Sequence, residues 1–317
     1  MIISALQSAY QQGCLYAPAA FGVALSFRVL NFPDMTVDGA FTLGAAVLAM
    51  LLVKGVDPAW AMTAALASGF MAGSCTVLLN RKLGISKLLS GILMMMILYS
   101  VNLRVMGQSN ISLLDTSTLL SGLEGAGVNS LSYMLGLSII PLACFAFLCY
   151  LVLTPLGLFM RATGDNEFMV RGIGVNTDWP YLIGLGLSNL LVAGSGALVA
   201  QSQGFSDVNM GLGLIMTGLA SLIIGESVIG IFVSLSARTK TFKELRGLRL
   251  MLLPWGTFRE FAAAFLGCFL YFFILAICLR MGLAPTDLKL GTGLLVIAGV
   301  AMRFKGPEIE NYARSRW

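Results

Sequence analysis

The sequence predicts an all-α, polytopic membrane protein with about nine to ten transmembrane helices. Three observations carry this prediction. The 317 residues are 57% hydrophobic. Only 11% are charged, against about 25% in a soluble domain. The apolar runs are continuous over spanning length, whereas the strands of an outer-membrane barrel alternate apolar and polar residues. Mean hydropathy is +0.87.

Nine apolar segments of spanning or near-spanning length follow in order, at roughly 9–30, 38–53, 59–79, 86–106, 131–154, 179–201, 212–235, 260–281 and 288–303. The second and ninth are short, as expected of a helix that is tilted, buried in a bundle or broken. The first turn has no basic n-region, and no small-residue cleavage site follows, so the first segment is expected to stay as a helix. Glycines cluster at Gly184, Gly186, Gly194, Gly196, Gly211, Gly213, Gly218 and Gly225. Small residues of this kind let membrane helices approach closely.

Lys and Arg orient the chain. The loop 80–87, the island 161–179, the loop 236–259 and the tail from Arg303 hold 15 of the 20 basic residues. Counting crossings places all four on one side, which is therefore cytoplasmic. The loop of about 107–130, with Asp115 and Glu124, then lies outside, and nine crossings put the N-terminus outside as well. An even count would need one more crossing or a re-entrant piece. The candidate is Asn31-Phe32-Pro33-Asp34-Met35-Thr36-Val37-Asp38-Gly39. A short cytoplasmic turn fits it. So does a helix break, which membrane depth tolerates only against protein or a water-filled path.

An internal echo bears on that choice. Phe32-Pro33-Asp34 precedes Asp38-Gly39 and a short small-residue helix; Phe205-Ser206-Asp207 precedes Gly211-Leu212-Gly213 and another, Leu214 to Gly225. The crossing count puts the first on the inner side and the second on the outer, the pattern of an inverted repeat whose broken helices line a central path. The chain then reads as one transmembrane domain over 1–317, with pseudo-repeat halves at roughly 1–155 and 179–305.

Between those halves lies the polar island from Arg161 to Trp179. Asp165 or Asn166 can cap a short helix there. Glu167 falls in its first turn and Arg171 near its end, as the helix dipole favours, and the two are four residues apart in the favourable order. Gly172 or Gly174 can supply a left-handed stop. The resulting helix, about two turns long, places Phe168, Met169 and Val170 beside charge. It is too short to be stable alone. A capped loop between membrane helices and a docking element both fit.

The sequence excludes several kinds of chemistry. It contains no histidine, the commonest general base and metal ligand, and no catalytic or metal site is expected. There is no Gly-x-x-x-x-Gly-Lys-Ser/Thr phosphate loop and no Gly-x-Ser-x-Gly elbow, so no cofactor is expected and the chain is not read as an enzyme. The six cysteines, Cys14, Cys75, Cys144, Cys149, Cys268 and Cys278, all lie in apolar segments and read as small buried residues. Arg28, Asp34, Asp38, Arg104 and Glu226 are the ionisable residues nearest the membrane interior. They are functional candidates by default, although snorkelling at segment ends also accounts for them. Trp255 and Phe258 in the basic loop could meet anionic headgroups, and ordinary positive-inside bias explains the loop equally well.

Three stretches resemble a known family: Tyr16 to Gly44, Arg161 to Asn176, and Gln203 to Gly211 continuing to Ile224-Gly225-Glu226. They are similar to permease subunits of ATP-binding-cassette importers in the branched-chain amino acid and ribose permease group, within it most to the tryptophan/tyrosine-type permeases. The resemblance implies that Asp165, Asn166, Glu167, Phe168, Arg171, Gly172 and Gly174 form a coupling helix docking on a separate ATPase subunit. It implies an extracytoplasmic substrate-binding protein, a homodimer or a second permease as the facing chain, and a bacterial cytoplasmic (inner) membrane as the setting. Nucleic acid has no place in it. The translocation path would run along Phe32, Asp34, Thr36, Asp38, Phe205, Asp207 and Asn209, and the solute would be small and polar, an amino acid above all. An ion- or proton-coupled secondary transporter is the competing reading, with Asp34, Asp38 or Glu226 as its coupling site. The basic loop 236–259 is longer than the family pattern leads one to expect.

Overall fold

The computed structural model describes residues 2–114, 116–124, 130–236 and 255–280, together with Gly291, Gly293 and Ile297. Most of the predicted ninth segment, 288–303, and most of the basic loop 236–259 lie outside the described residues. Helix α1 covers Ile2–Ala24 and continues as a π-helical turn, Leu25–Val29. Helices α2 (Thr36–Val53), α3 (Pro58–Leu83) and α4 (Lys87–Met106) follow, then strand β1 (Asn110–Ser112) and α5 (Leu119–Glu124). After α6 (Ser130–Leu153) come two short helices, α7 (Pro155–Asp165) and α8 (Glu167–Gly172). The rest is α9 (Asp178–Gln203), β2 (Phe205–Asp207), α10 (Leu214–Ser236) and α11 (Trp255–Arg280).

Eight of the nine predicted apolar segments thus appear as helices, the first starting about seven residues earlier than predicted and the others within about five residues, with two corrections. Helix α7 was not anticipated: the polar island begins inside it, and Arg161 is helical rather than a loop residue. Trp255, Phe258 and Arg259 belong to the first turns of α11, not to the basic loop. Six described helices, α2, α3, α4, α6, α9 and α11, are long and apolar enough to span a bilayer.

Helix α9 is the centre of the bundle, packed by α1, α2 and α3. Its residues explain the closeness. A Cβ at Gly44 of α2 would collide with the Ala193 carbonyl, and one at Gly196 of α9 with the Phe41 carbonyl. Only glycine lets the two backbones lie this near. The same device joins α10 to α11, where Gly225 abuts the Ala263 carbonyl and Gly267 the Ser221 carbonyl. Serines pin α1 to α9: Ser195 donates to the Leu15 carbonyl at 2.6 Å and Ser188 to the Gly22 carbonyl at 2.7 Å. Residue number rises along α1 as it falls along α9, so the two run antiparallel.

That direction fixes the two ends of the molecule. Strands β1 and β2 pair antiparallel, Asn110 with Asp207 and Ser112 with Phe205, just beyond the C-terminal end of α9. The start of α1 therefore lies at this ribbon end. Arg81, Lys87, α8 and the start of α9 meet at the other, basic end. The cysteines divide: Cys14 and Cys268 are buried, Cys144, Cys149 and Cys278 partly so, and Cys75 is exposed on α3, contrary to the expectation that all six are buried. A face meant for lipid accepts a small apolar side chain as readily as the core does.

Candidate functional site

Two regions hold the residues that the sequence singled out. The first is the helix junction. After the π-helical turn the chain reverses through residues 30–35, with Asn31 in the left-handed region at φ +48°, which Asn tolerates better than most residues. Asp34 is fully buried. One of its oxygens accepts the Thr36 N–H at 2.9 Å, at the start of α2; the other accepts from Asn189 Nδ2 of α9 at 2.7 Å. Thr36 and Thr76 of α3 share a hydrogen bond between hydroxyls at 2.8 Å. Asn189 lies 11 residues along α9, about 16 Å from its start at 1.5 Å per residue. The break is therefore seated inside the bundle.

Helix α10 also begins inside the bundle. From β2 the chain turns back through residues 208–213, and the Gly211 N–H reaches Thr42 Oγ1 of α2 at 3.1 Å. The Asp38 carboxylate accepts the Gly213 and Ile215 N–H groups at 3.0 and 2.9 Å. Asp38 thus caps α10 across 175 residues of sequence, as a carboxylate at a helix N-terminus should. Twelve residues on, about 18 Å along the helix, Glu226 pairs with Arg28 at 2.5 Å. Helices α2 and α10 start side by side and diverge, α2 toward the ribbon end and α10 toward the basic end.

The predicted path residues fall into two groups. Phe32, Asp34 and Thr36 are fully buried within this one chain and Asp38 is half-buried; all four belong to the junction. Phe205, Asp207 and Asn209 sit at the ribbon end. Phe205 and Asn209 are exposed, and Asp207 accepts the Asn209 N–H at 2.8 Å. Sequence reasoning missed Asn189 and Thr76, which are polar residues in apolar helices with no motif around them.

The second region is α8. Asn166, rather than Asp165, is its N-cap, accepting the Met169 N–H at 3.0 Å. Asp165 ends α7. Glu167 pairs with Arg171 at 2.7 Å, as the spacing predicts. The left-handed stop falls at Gly174, φ +83°, and not at Gly172. Val170 points inward and is buried, whereas Phe168, Met169 and Ile173 are 88%, 68% and 68% exposed.

Glu167 also accepts from Arg81 Nη1 of α3 at 2.5 Å, and Arg81 lies 3.5 Å from Asp178 of α9. Arg171 Nε donates to Thr177 at 3.1 Å. Burial pushes the Glu167 carboxyl up, but the hydrogen bond and charge of Arg81, with Arg171 and Lys87 beyond, outweigh it and hold the group below the ordinary 4.5. The sequence showed Arg81 only as one cation of a basic loop, since nothing in it points to a carboxylate 86 residues away.

Comparison with known proteins places the chain in a family. The family described as "Branched-chain amino acid transport system / permease component" matches residues 6–238. The chain is 36% identical over 304 residues to a tyrosine transport system permease protein of Clostridioides difficile, covering 94% of this chain and 91% of that one. It is 33% identical to an uncharacterized protein of Rickettsia prowazekii, over 93% and 96% of the two chains. It is 27% identical to the autoinducer 2 import system permease protein LsrC of Escherichia coli, over 70% and 64%. No solved structure matches. With a matched region that takes in both the junction and α8, the chain belongs to the branched-chain amino acid transport system permease family, as the membrane-embedded permease component of an ABC-type transporter.

Proposed function

We propose that this chain is the permease of an ATP-driven importer of an amino acid in the bacterial inner membrane, and that α8 is the element on which a separate ATPase subunit docks. The observation that carries the reading is the construction of α8. Six residues cannot hold a helix alone, yet this helix is capped at Asn166, stopped at Gly174 and tied to α3 through Arg81. Phe168 and Met169 are nonetheless left almost bare. Rigid presentation of apolar side chains beside fixed charges is what a protein groove can grip.

The substrate class rests on the relatives. A tyrosine permease with 36% identity over nearly the whole length makes tyrosine the first solute to try. The solute passes between two permease chains, this one and a second copy or a paired permease, after delivery by an extracytoplasmic binding protein. On this reading Phe205, Asp207 and Asn209 form the mouth of the path, and Asp38 with the start of α10 flanks its middle. Helices α2 and α10 are the matching broken helices of two inverted halves.

The ion-coupled alternative needs an ionisable group free to exchange its ion. Asp34, Asp38 and Glu226 are all engaged, by Asn189, by the α10 backbone and by Arg28, which favours the importer. The test is uptake of labelled tyrosine into proteoliposomes holding the permease, its ATPase and its binding protein. Uptake that requires internal or external ATP according to ATPase orientation, and ignores an imposed proton or sodium gradient, supports the proposal. Uptake by the permease alone on a gradient overturns it.

A further inference from the structure

One continuous side-chain stack at the basic end joins α8 to the helix break. Glu167 of α8 holds Arg81 at 2.5 Å, and the Arg81 guanidinium lies 4.4 Å from the centroid of the Tyr181 ring. Tyr181 is fully buried in the first turn of α9, with its ring 6.0 Å from that of Phe32. Lys87 closes the stack from α4, donating to the Tyr181 hydroxyl at 2.9 Å and to the Asn31 carbonyl at 3.5 Å. Phe32 belongs to the break itself. Its N–H reaches the Ser26 carbonyl at 2.9 Å, and the Leu30 N–H the Leu25 carbonyl at 3.1 Å.

The parts of this stack differ in stiffness. Arg81 and Tyr181 sit on long helices, and a planar guanidinium over an aromatic face transmits position better than a flexible ammonium would. The break combines a π-helical turn, a non-glycine residue at positive φ and Pro33. Features of that kind mark where a helix gives way first.

We propose that Arg81 and Tyr181 are positioning residues that carry a displacement of α8 to the helix break at residues 30–36. The functional meaning rests on α8 being the docking element; the physical linkage does not. Arg81 and Tyr181 act through Phe32 and the backbone beside it.

The test is a double-mutant cycle read by hydrogen–deuterium exchange on the solubilised permease alone. Glu167→Gln removes the charge that holds Arg81 to α8, and is expected to speed exchange at the Leu30 and Phe32 amides by about fivefold. Exchange in the β1–β2 ribbon at 110–112 and 205–207 should not change. In an Arg81→Ala or a Tyr181→Leu background, Glu167→Gln should add nothing at 30–32. Arg81→Lys, which keeps the charge but not the planar stack, should restore only part of the response. If Arg81→Ala fails to fold, the Tyr181→Leu cycle decides alone. Equal acceleration at the break and the ribbon would show general loosening and overturn the proposal. So would a Glu167→Gln effect that persists undiminished in the Tyr181→Leu background. No ATPase enters this experiment, so its outcome is separate from that of the docking reading.

Discussion

The helix junction and α8 are both polar irregularities in an apolar chain, and they treat their exposed groups in opposite ways. At the junction, each interrupted helix start is closed by a carboxylate from the same chain: Asp34 at the start of α2, Asp38 at the start of α10. At α8 the backbone is equally well capped, but the side chains Phe168, Met169 and Ile173 face outward and are exposed among the described residues. A region that satisfies itself holds the scaffold together. A well-capped frame with bare apolar groups is what the proposed docking needs. The sequence read Asp34 and Asp38 as candidates for handling solute or ions; their hydrogen bonds make them first of all caps.

Breaking the junction should cost stability, in a graded series. The largest effect is expected for Gly196→Val, which drives a branched side chain into the Phe41 carbonyl of α2, where only backbone can yield. A loss of about 3 kcal/mol or more is expected, seen as a large drop in the thermal midpoint of the solubilised protein. Asp34→Ala comes next. It strands the buried Asn189 amide and the Thr36 N–H, at a cost of about 1–3 kcal/mol. Asp38→Ala uncaps α10 and should cost about 0.5–2 kcal/mol, with faster exchange confined to residues 213–217. A Gly196→Val protein as stable as the parent would refute the close approach of α2 and α9. Loss of exchange protection throughout the bundle in Asp38→Ala would show that Asp38 does more than cap.

The smallest expected effect is that of pH on α8. Because the Glu167 carboxyl titrates below 4.5 in the folded chain, its pairing with Arg81 is fully present above that pH. The stabilisation is lost as pH falls through the lower folded value. Exchange across 167–172 should be flat from pH 8 to about pH 5, once corrected for intrinsic rates, and rise only below. A rise already at pH 6 to 7 would mean that Glu167 is not held by a cation.

Much of this architecture was legible because lipid imposes a strong pattern: eight of the apolar segments appear as helices, seven of them within about five residues of their predicted ends. The capping of α8 was legible too, since Asn166, Glu167, Arg171 and Gly174 act within one short stretch. Helix α7 was not, because Arg161, Thr163 and Asp165 make its amphipathic sequence look like a loop. The pairings of Arg81 with Glu167, Asp38 with the α10 backbone and Asp34 with Asn189 were beyond reach. Each joins residues 86 to 177 positions apart, and no local spacing encodes them. The echo between 32–39 and 205–213 hinted that the two stretches correspond; it did not say that they touch.

The central claim is that α8 receives an ATPase subunit, and one measurement tests it directly. The permease is co-expressed with the cognate ATPase, solubilised and purified through the permease alone, as the parent and as Phe168→Ser/Met169→Ser. Both side chains are exposed, so the variant should insert and fold normally. The account predicts that the ATPase co-purifies in equal amounts with the parent and is lost from the variant, while the permease yield is unchanged. An ATPase retained equally by both chains, or absent from the parent, would contradict it.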